Sequence, residues 1–188
     1  KIISGAEVII IAVKPQSFGQ LADQISGELT DALIISVMAG VSLKTLTTRL
    51  ATDRVVRAMP NLAIQIGKGV TGWMAGAAIT DSDRTIVNQT FSATGAVIEV
   101  KNESQIDAIT ALSGSGPAYI FYLAEIMEQE AKAAGFSAVQ AEVIARQTIA
   151  GAVGLLELGT HSAKNWRLAV TSKGGTTAAA FSILQSNK

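Results

Sequence analysis

Apolar runs and the breaks between them organise the first hundred residues. Val8-Ile9-Ile10-Ile11-Ala12-Val13 contains no polar residue. Such a β-branched run predicts a strand covered on both faces, as in a parallel sheet. Lys14-Pro15-Gln16 ends it, and Phe18, Leu21, Ala22 and Ile25 then recur at helical spacing. Ala32 to Val37 predicts a second buried strand. Ser42 is placed to cap a short helix carrying Leu43, Leu46 and Leu50. Arg54 to Met59 reads as a third strand stopped by Pro60, and Val70 to Ala75 as a fourth. A helix from Asp81, with Ile86, Val87, Thr90 and Phe91 on one face, ends at Gly95, and Ala96 to Val100 makes a fifth strand. Strands separated by helical segments predict βαβ units and a mostly parallel sheet.

After Lys101 the alternation stops. Gly116-Pro117 opens a long helix that runs to Gly135, with proline in the first turn and glycine at the end. Ser137-Ala138-Val139-Gln140 is a capping-box pattern for a second long helix, to about Leu158. A shorter helix is expected over Ser162–Ala169, and a last one from Thr176. The expected fold is therefore α/β followed by all-α, with domains over residues 1–100 and 101–188. Ala118 to Met127 is apolar nearly all round. A helix without a polar face needs cover on every side, so a second subunit is the expected cover; packing within one subunit is the alternative.

Composition narrows the function classes. With 48% hydrophobic and 16% charged residues, the chain is not a disordered one. Fifteen basic residues balance fifteen acidic ones, and neither half carries the basic excess of a nucleic-acid binder. There is no cysteine for thiolate chemistry, and a single histidine, His161, excludes a multi-histidine metal site. The apolar run at Val8–Val13 is far shorter than the ~20 residues of a membrane span, and no cleavage-site pattern follows it. The expectation is no metal, no nucleic-acid partner and no membrane partner. The chain starts at Lys1, which reads as a piece of something longer.

Few side chains can act as acid, base or nucleophile, and that favours chemistry supplied by a cofactor. Ser172-Lys173-Gly174-Gly175-Thr176-Thr177 is the most informative stretch. Its glycines allow close backbone approach, and the helix that follows presents free N–H groups and a positive dipole end to a carboxylate or phosphate. A plain loop capped by threonine is the alternative. The loops Ala12-Val13-Lys14-Pro15 and Val37-Met38-Ala39-Gly40 follow the first two strands, at the ends where open parallel sheets bind ligands. Ordinary βα turns would look the same. Gly67, Gly69 and Gly72 nearly form a dinucleotide fingerprint but lead into a strand, which argues against it.

Four motifs in order, Ala12-Val13-Lys14-Pro15-Gln16, Val56-Arg57-Ala58-Met59-Pro60-Asn61, Ser113-Gly114-Ser115-Gly116-Pro117-Ala118-Tyr119 and Val170 through Thr177, resemble those of pyrroline-5-carboxylate reductases over essentially the whole chain. The resemblance implies a partial Rossmann-like parallel sheet followed by a helical dimerisation domain. It implies a cytoplasmic oxidoreductase of proline biosynthesis that reduces 1-pyrroline-5-carboxylate to L-proline with NADPH or NADH. It implies a homodimer or ring of dimers. It assigns cofactor contacts to Ala12, Val13, Lys14, Pro15, Val37, Met38 and Ala39. It assigns substrate binding to Ser172, Gly175, Thr176 and Thr177, with Thr177 as the catalytic hydroxyl. It also implies that the glycine-rich cofactor loop precedes Lys1 and that further helices follow Lys188. The alternative is a non-catalytic dimerising module that kept the fold.

Overall fold

The structure is a computed structural model that describes residue 3 and residues 5–29 and 31–186. Two compact units divide the chain, Lys1–Ile120 and Phe121–Lys188. The first is built on a five-stranded sheet in the order β1 (Val8–Ile11), β2 (Leu33–Ser36), β3 (Val55–Pro60), β4 (Gly69–Ala75), β5 (Gly95–Glu99). β1–β2, β2–β3 and β4–β5 are parallel, in agreement with a mostly parallel sheet. β4, however, runs antiparallel to β3. The physical reason is chain length. Only residues 61–68 join them, as a 3-10 turn over Leu62–Ile66 and a left-handed Gly67 with φ 70°. A parallel crossover needs about a dozen residues or more.

Alternation along the strands sorts side chains to the two faces. Ile11, Ile34 and Val55 join Phe18, Ala22, Leu46 and Leu50 in one buried cluster, under α1 (Phe18–Ile25) and α2 (Leu43–Leu50). Leu33, Ile35, Val56, Ala58 and Trp73 form the opposite cluster with Val87 and Phe91 of α3 (Asp81–Ser92). The expected Ser42 cap is present: its hydroxyl accepts the Thr45 N–H at 3.1 Å. A helix absent from the sequence reading, α4 (Glu103–Ile109), is capped by Asn102, whose side chain accepts the Gln105 N–H at 3.0 Å. It buries Ile106 against Met74 and Val100. It continues into a π-helical turn, Thr110–Gly114. Seven residues with few apolar positions leave a weak periodic signal.

The long helix α5 (Gly116–Ala133) ends on Gly135, with φ 94° and the Phe136 N–H on the Ala131 carbonyl at 3.1 Å. In the second unit, α6 (Ala138–Glu157) starts with the expected capping box between Ser137 and Gln140. α7 (Ala163–Ala169) and α8 (Thr176–Ser186) follow. No helix of the described residues is long and apolar enough to cross a membrane.

Candidate active site

The parallel register pairs Ile11 with Ser36, so the chain leaves β1 and β2 side by side. The Val37 N–H donates to the Ile11 carbonyl at 3.1 Å, and the Met38 N–H to the Ser36 hydroxyl at 3.3 Å. Lys14 is extended, as the residue before a proline prefers, and Pro15 opens a 3-10 turn. Gly40 turns the second loop with φ 72°, a conformation that suits glycine. Ala12, Lys14, Pro15 and Ala39 are exposed, and Val13 and Val37 half-buried. The two loops make an open shelf of backbone and small methyl groups with an ammonium beside it. Those features suit the flat ring and phosphates of a dinucleotide. Met38 differs from its neighbours: its side chain is only 3% exposed and packs in the α1/α2 cluster.

In the second unit, Thr171 closes α7 by donating its N–H to Leu168 O at 3.1 Å and its hydroxyl to Arg167 O at 2.6 Å. Gly174 has φ 73°. The Gly175 N–H donates to Ser172 O at 3.1 Å, which commits the amide of one of the residues expected to bind substrate. The first α8 bond runs from Ala179 N to Gly175 O at 3.2 Å. The amides of Thr176, Thr177 and Ala178 therefore precede the helical ladder and point out of its positive end. A Cβ on Gly175 would lie 2.5 Å from the Ser172 hydroxyl oxygen and 3.3 Å from the Ser172 carbonyl oxygen, so a side chain at this position displaces the Ser172 hydroxyl. Thr177 is half-buried, and Ser172 and Thr176 are exposed.

Of the near-fingerprint glycines, Gly67 makes a left-handed turn, and Gly69 and Gly72 serve packing. A Cβ on Gly69 would run into Ile64, and one on Gly72 into the Ile109 side chain. His161 is exposed, with its ring 4.6 Å from that of Trp166. Among the described residues, no group of three or more His, Asp or Glu side chains is placed to hold a metal ion.

Two charged networks had no signal in the sequence. Asp83, 0% exposed, accepts from Arg54 Nε at 3.2 Å and Nη2 at 2.6 Å, and from the Thr80 N–H and hydroxyl at 3.0 and 2.9 Å. The Arg54 guanidinium holds its carboxyl down to about 2, against the opposing effect of burial, with the Thr80 bonds adding to the fall. Arg57 is buried in β3 and pairs with Glu103 and Asp107 of α4.

Comparison with known proteins decides the family. Residues 103–188 match the family described as pyrroline-5-carboxylate reductase dimerisation, and residues 1–40 match NADP oxidoreductase coenzyme F420-dependent. The pyrroline-5-carboxylate reductase of Methanosarcina acetivorans is 38% identical over 179 residues, which cover 94% of this chain and 66% of that protein. The solved pyrroline-5-carboxylate reductase of Coxiella burnetii is 34% identical with a TM-score of 0.84, over 98% of this chain and 70% of that one. The chain belongs to the pyrroline-5-carboxylate reductase family. The Plasmodium falciparum pyrroline carboxylate reductase, solved with NADP bound, superposes with a TM-score of 0.87 at 28% identity, over 96% of this chain and 69% of that one. The chain spans about two thirds of the length of the curated relatives it matches. The shelf residues Ala12–Pro15 and Val37–Ala39 fall in the segment that matches NADP oxidoreductase coenzyme F420-dependent. Ser172–Thr177 falls in the dimerisation segment.

Proposed function

We propose that this chain is the larger part of an NAD(P)H-dependent reductase that converts 1-pyrroline-5-carboxylate to L-proline. The turn Ser172–Thr177 carries the reading: an anion cradle of free amides with a threonine hydroxyl beside it, in a chain of the right family. Residues 1–100 act as the dinucleotide-binding domain and residues 101–188 as the helical, substrate-binding and self-associating domain. When bound, a reduced nicotinamide supplies a hydride to the C=N carbon of the pyrroline. The β1 and β2 loops hold that ring, through Ala12, Val13, Lys14, Pro15, Val37 and Ala39 and through the Met38 backbone. The amides of Thr176 and Thr177 take the substrate carboxylate, and the Ser172 hydroxyl and the Gly175 backbone shape that seat. The Thr177 hydroxyl accepts from the ring N–H of the protonated imine, the form that receives hydride more readily. Neither set of residues supplies a nucleophile; their part is to bind and orient the two reactants.

The experiment is Thr177→Ala in the full-length enzyme. A hydrogen bond to a charged group is worth about 1.5–3 kcal/mol, so kcat/KM for pyrroline carboxylate should fall roughly ten- to hundred-fold. Thr177→Ser should lose much less, and NADPH affinity should stay nearly unchanged in both. Full activity in Thr177→Ala would refute the assignment of this hydroxyl.

Self-association follows the same reading. Tyr119, Phe121, Tyr122 and Leu123 of α5, with Val143, Val153 and Leu155 of α6, are exposed on a single chain. Large apolar side chains grouped on helices in this way suit burial against a second copy of the chain.

A further inference from the structure

Arg57 sits in the middle of a five-stranded sheet at 4% exposure, where a cation persists only if paired. Its partners, Glu103 and Asp107, lie one turn apart on α4, with Asp107 at 3.2 Å. Glu103 divides its carboxylate between two tasks. One oxygen takes Arg57; the other accepts the Leu43 N–H at 2.7 Å, across sixty residues of sequence. Leu43 is the first residue of α2, so its amide has no partner within the helix, and a carboxylate there meets the positive end of the helix.

Leu43 also ends the loop that carries Val37, Met38 and Ala39. At its start that loop is held by the pairing of β2 and by the Ser36 hydroxyl. In between, Met38 and Val41 anchor the loop in the α1/α2 cluster, while Ala39 and the left-handed Gly40, the part turned to solvent, add no side-chain anchor of their own. The far end is where Glu103 grips. Arg57 keeps that carboxylate, itself 39% exposed, from turning to water.

We propose that Arg57 and Glu103 are positioning residues for the dinucleotide: the buried guanidinium fixes the carboxylate, the carboxylate fixes the start of α2, and the β2 loop is thereby set at the height the cofactor needs. This rests on the reading of the β1 and β2 loops as the cofactor shelf. It links a strand of the sheet and the first helix after it to the cofactor's affinity, with no contact between either side chain and the cofactor.

The test is steady-state kinetics of the full-length enzyme with NADPH and with pyrroline carboxylate varied separately. Glu103→Ala should raise the KM for NADPH about ten-fold, the scale of one lost charge-assisted hydrogen bond, with kcat and the KM for pyrroline carboxylate within about two-fold of the parent. Glu103→Gln keeps an oxygen for the Leu43 amide but turns an NH2 toward Arg57, and should recover only part of that affinity. Asp107→Asn leaves the Leu43 contact intact and should behave like the parent. An unchanged NADPH KM in Glu103→Ala, with only a lower melting temperature, would overturn the proposal, as would an equal rise in both KM values. If Glu103→Ala fails to fold, Glu103→Asp, one methylene short of reaching both partners, is read by the same criteria. A parent enzyme that turns over pyrroline carboxylate while Glu103→Ala keeps full NADPH affinity removes this proposal alone. A parent that neither binds NADPH nor turns over removes the shelf reading as well.

Discussion

Asp83→Asn should cost the first unit about 2 kcal/mol near neutral pH and almost nothing near pH 2. The carboxylate is fully buried and receives four hydrogen bonds, two of them from Arg54. Its pKa falls from an ordinary 3.8 to about 2. At about 1.36 kcal/mol per pH unit that fall is worth roughly 2.4 kcal/mol. The folded pKa is depressed, so this stability is complete above the unfolded value of 3.8. It drains away as pH falls through the folded value of about 2. Asparagine has the same shape and can still accept from the Thr80 amide, so the α3 capping geometry survives while the charge is lost. Arg54, about a third exposed, keeps contact with water and with the Asp31 carbonyl, which limits the cost of leaving it unpaired. Urea unfolding of parent and variant at intervals from pH 2 to pH 7 measures the difference. The gap should open between pH 2 and pH 4 and then stay flat. A gap independent of pH, or below about 0.5 kcal/mol at pH 7, would show that the charge pair adds nothing beyond packing.

Gly175→Val should abolish pyrroline reduction in the full-length enzyme while leaving NADPH titration unchanged, because its Cβ meets the Ser172 hydroxyl at 2.5 Å and displaces it; retained kcat/KM would refute this. Leu123→Glu, at a residue 48% exposed on a single chain, should convert an associated species to a monomer in light scattering, since the charge would be buried unpaired in the interface; a folded monomer in the parent would refute the interface. Gly72→Val should destabilise by about 1–3 kcal/mol in thermal unfolding, because the Ile109 side chain fills the space a side chain would need; an unchanged melting temperature would refute close packing there.

Much of the fold was legible because its signals are local. The apolar runs at Val8–Val13 and Ala32–Val37, the second broken only by Ser36, mark strands, and β1 and β2 lie within them; β2 is covered on both faces as expected, whereas β1 at the sheet edge leaves Ile10 exposed. Ser42 and Ser137 cap the helices that start beside them, since a hydroxyl three residues from a free amide needs no distant partner. Gly135 ends α5 for the same local reason. The turn at Ser172–Thr177 could be placed at a helix start from its residues alone.

What only the tertiary structure decided involves residues far apart in sequence. The reversal of β4 follows from a connection too short to cross the sheet, and that is a matter of where β3 ends in space. Met38 reads like its neighbours but turns into the core, because alternation beyond a strand's end depends on the helix packed over it. The Gly175 amide looked free in the sequence and is used by its own turn. Arg54 finds Asp83 across 29 residues and Arg57 finds Glu103 across 46, and a charge pattern carries no trace of such partners. Sequence determined the elements and the chemistry they carry, since periodicity, caps and turns act over a few residues. Folding decided which charges are buried together and which backbone groups remain open to a ligand, because burial is a property of the assembled layers and not of any one segment.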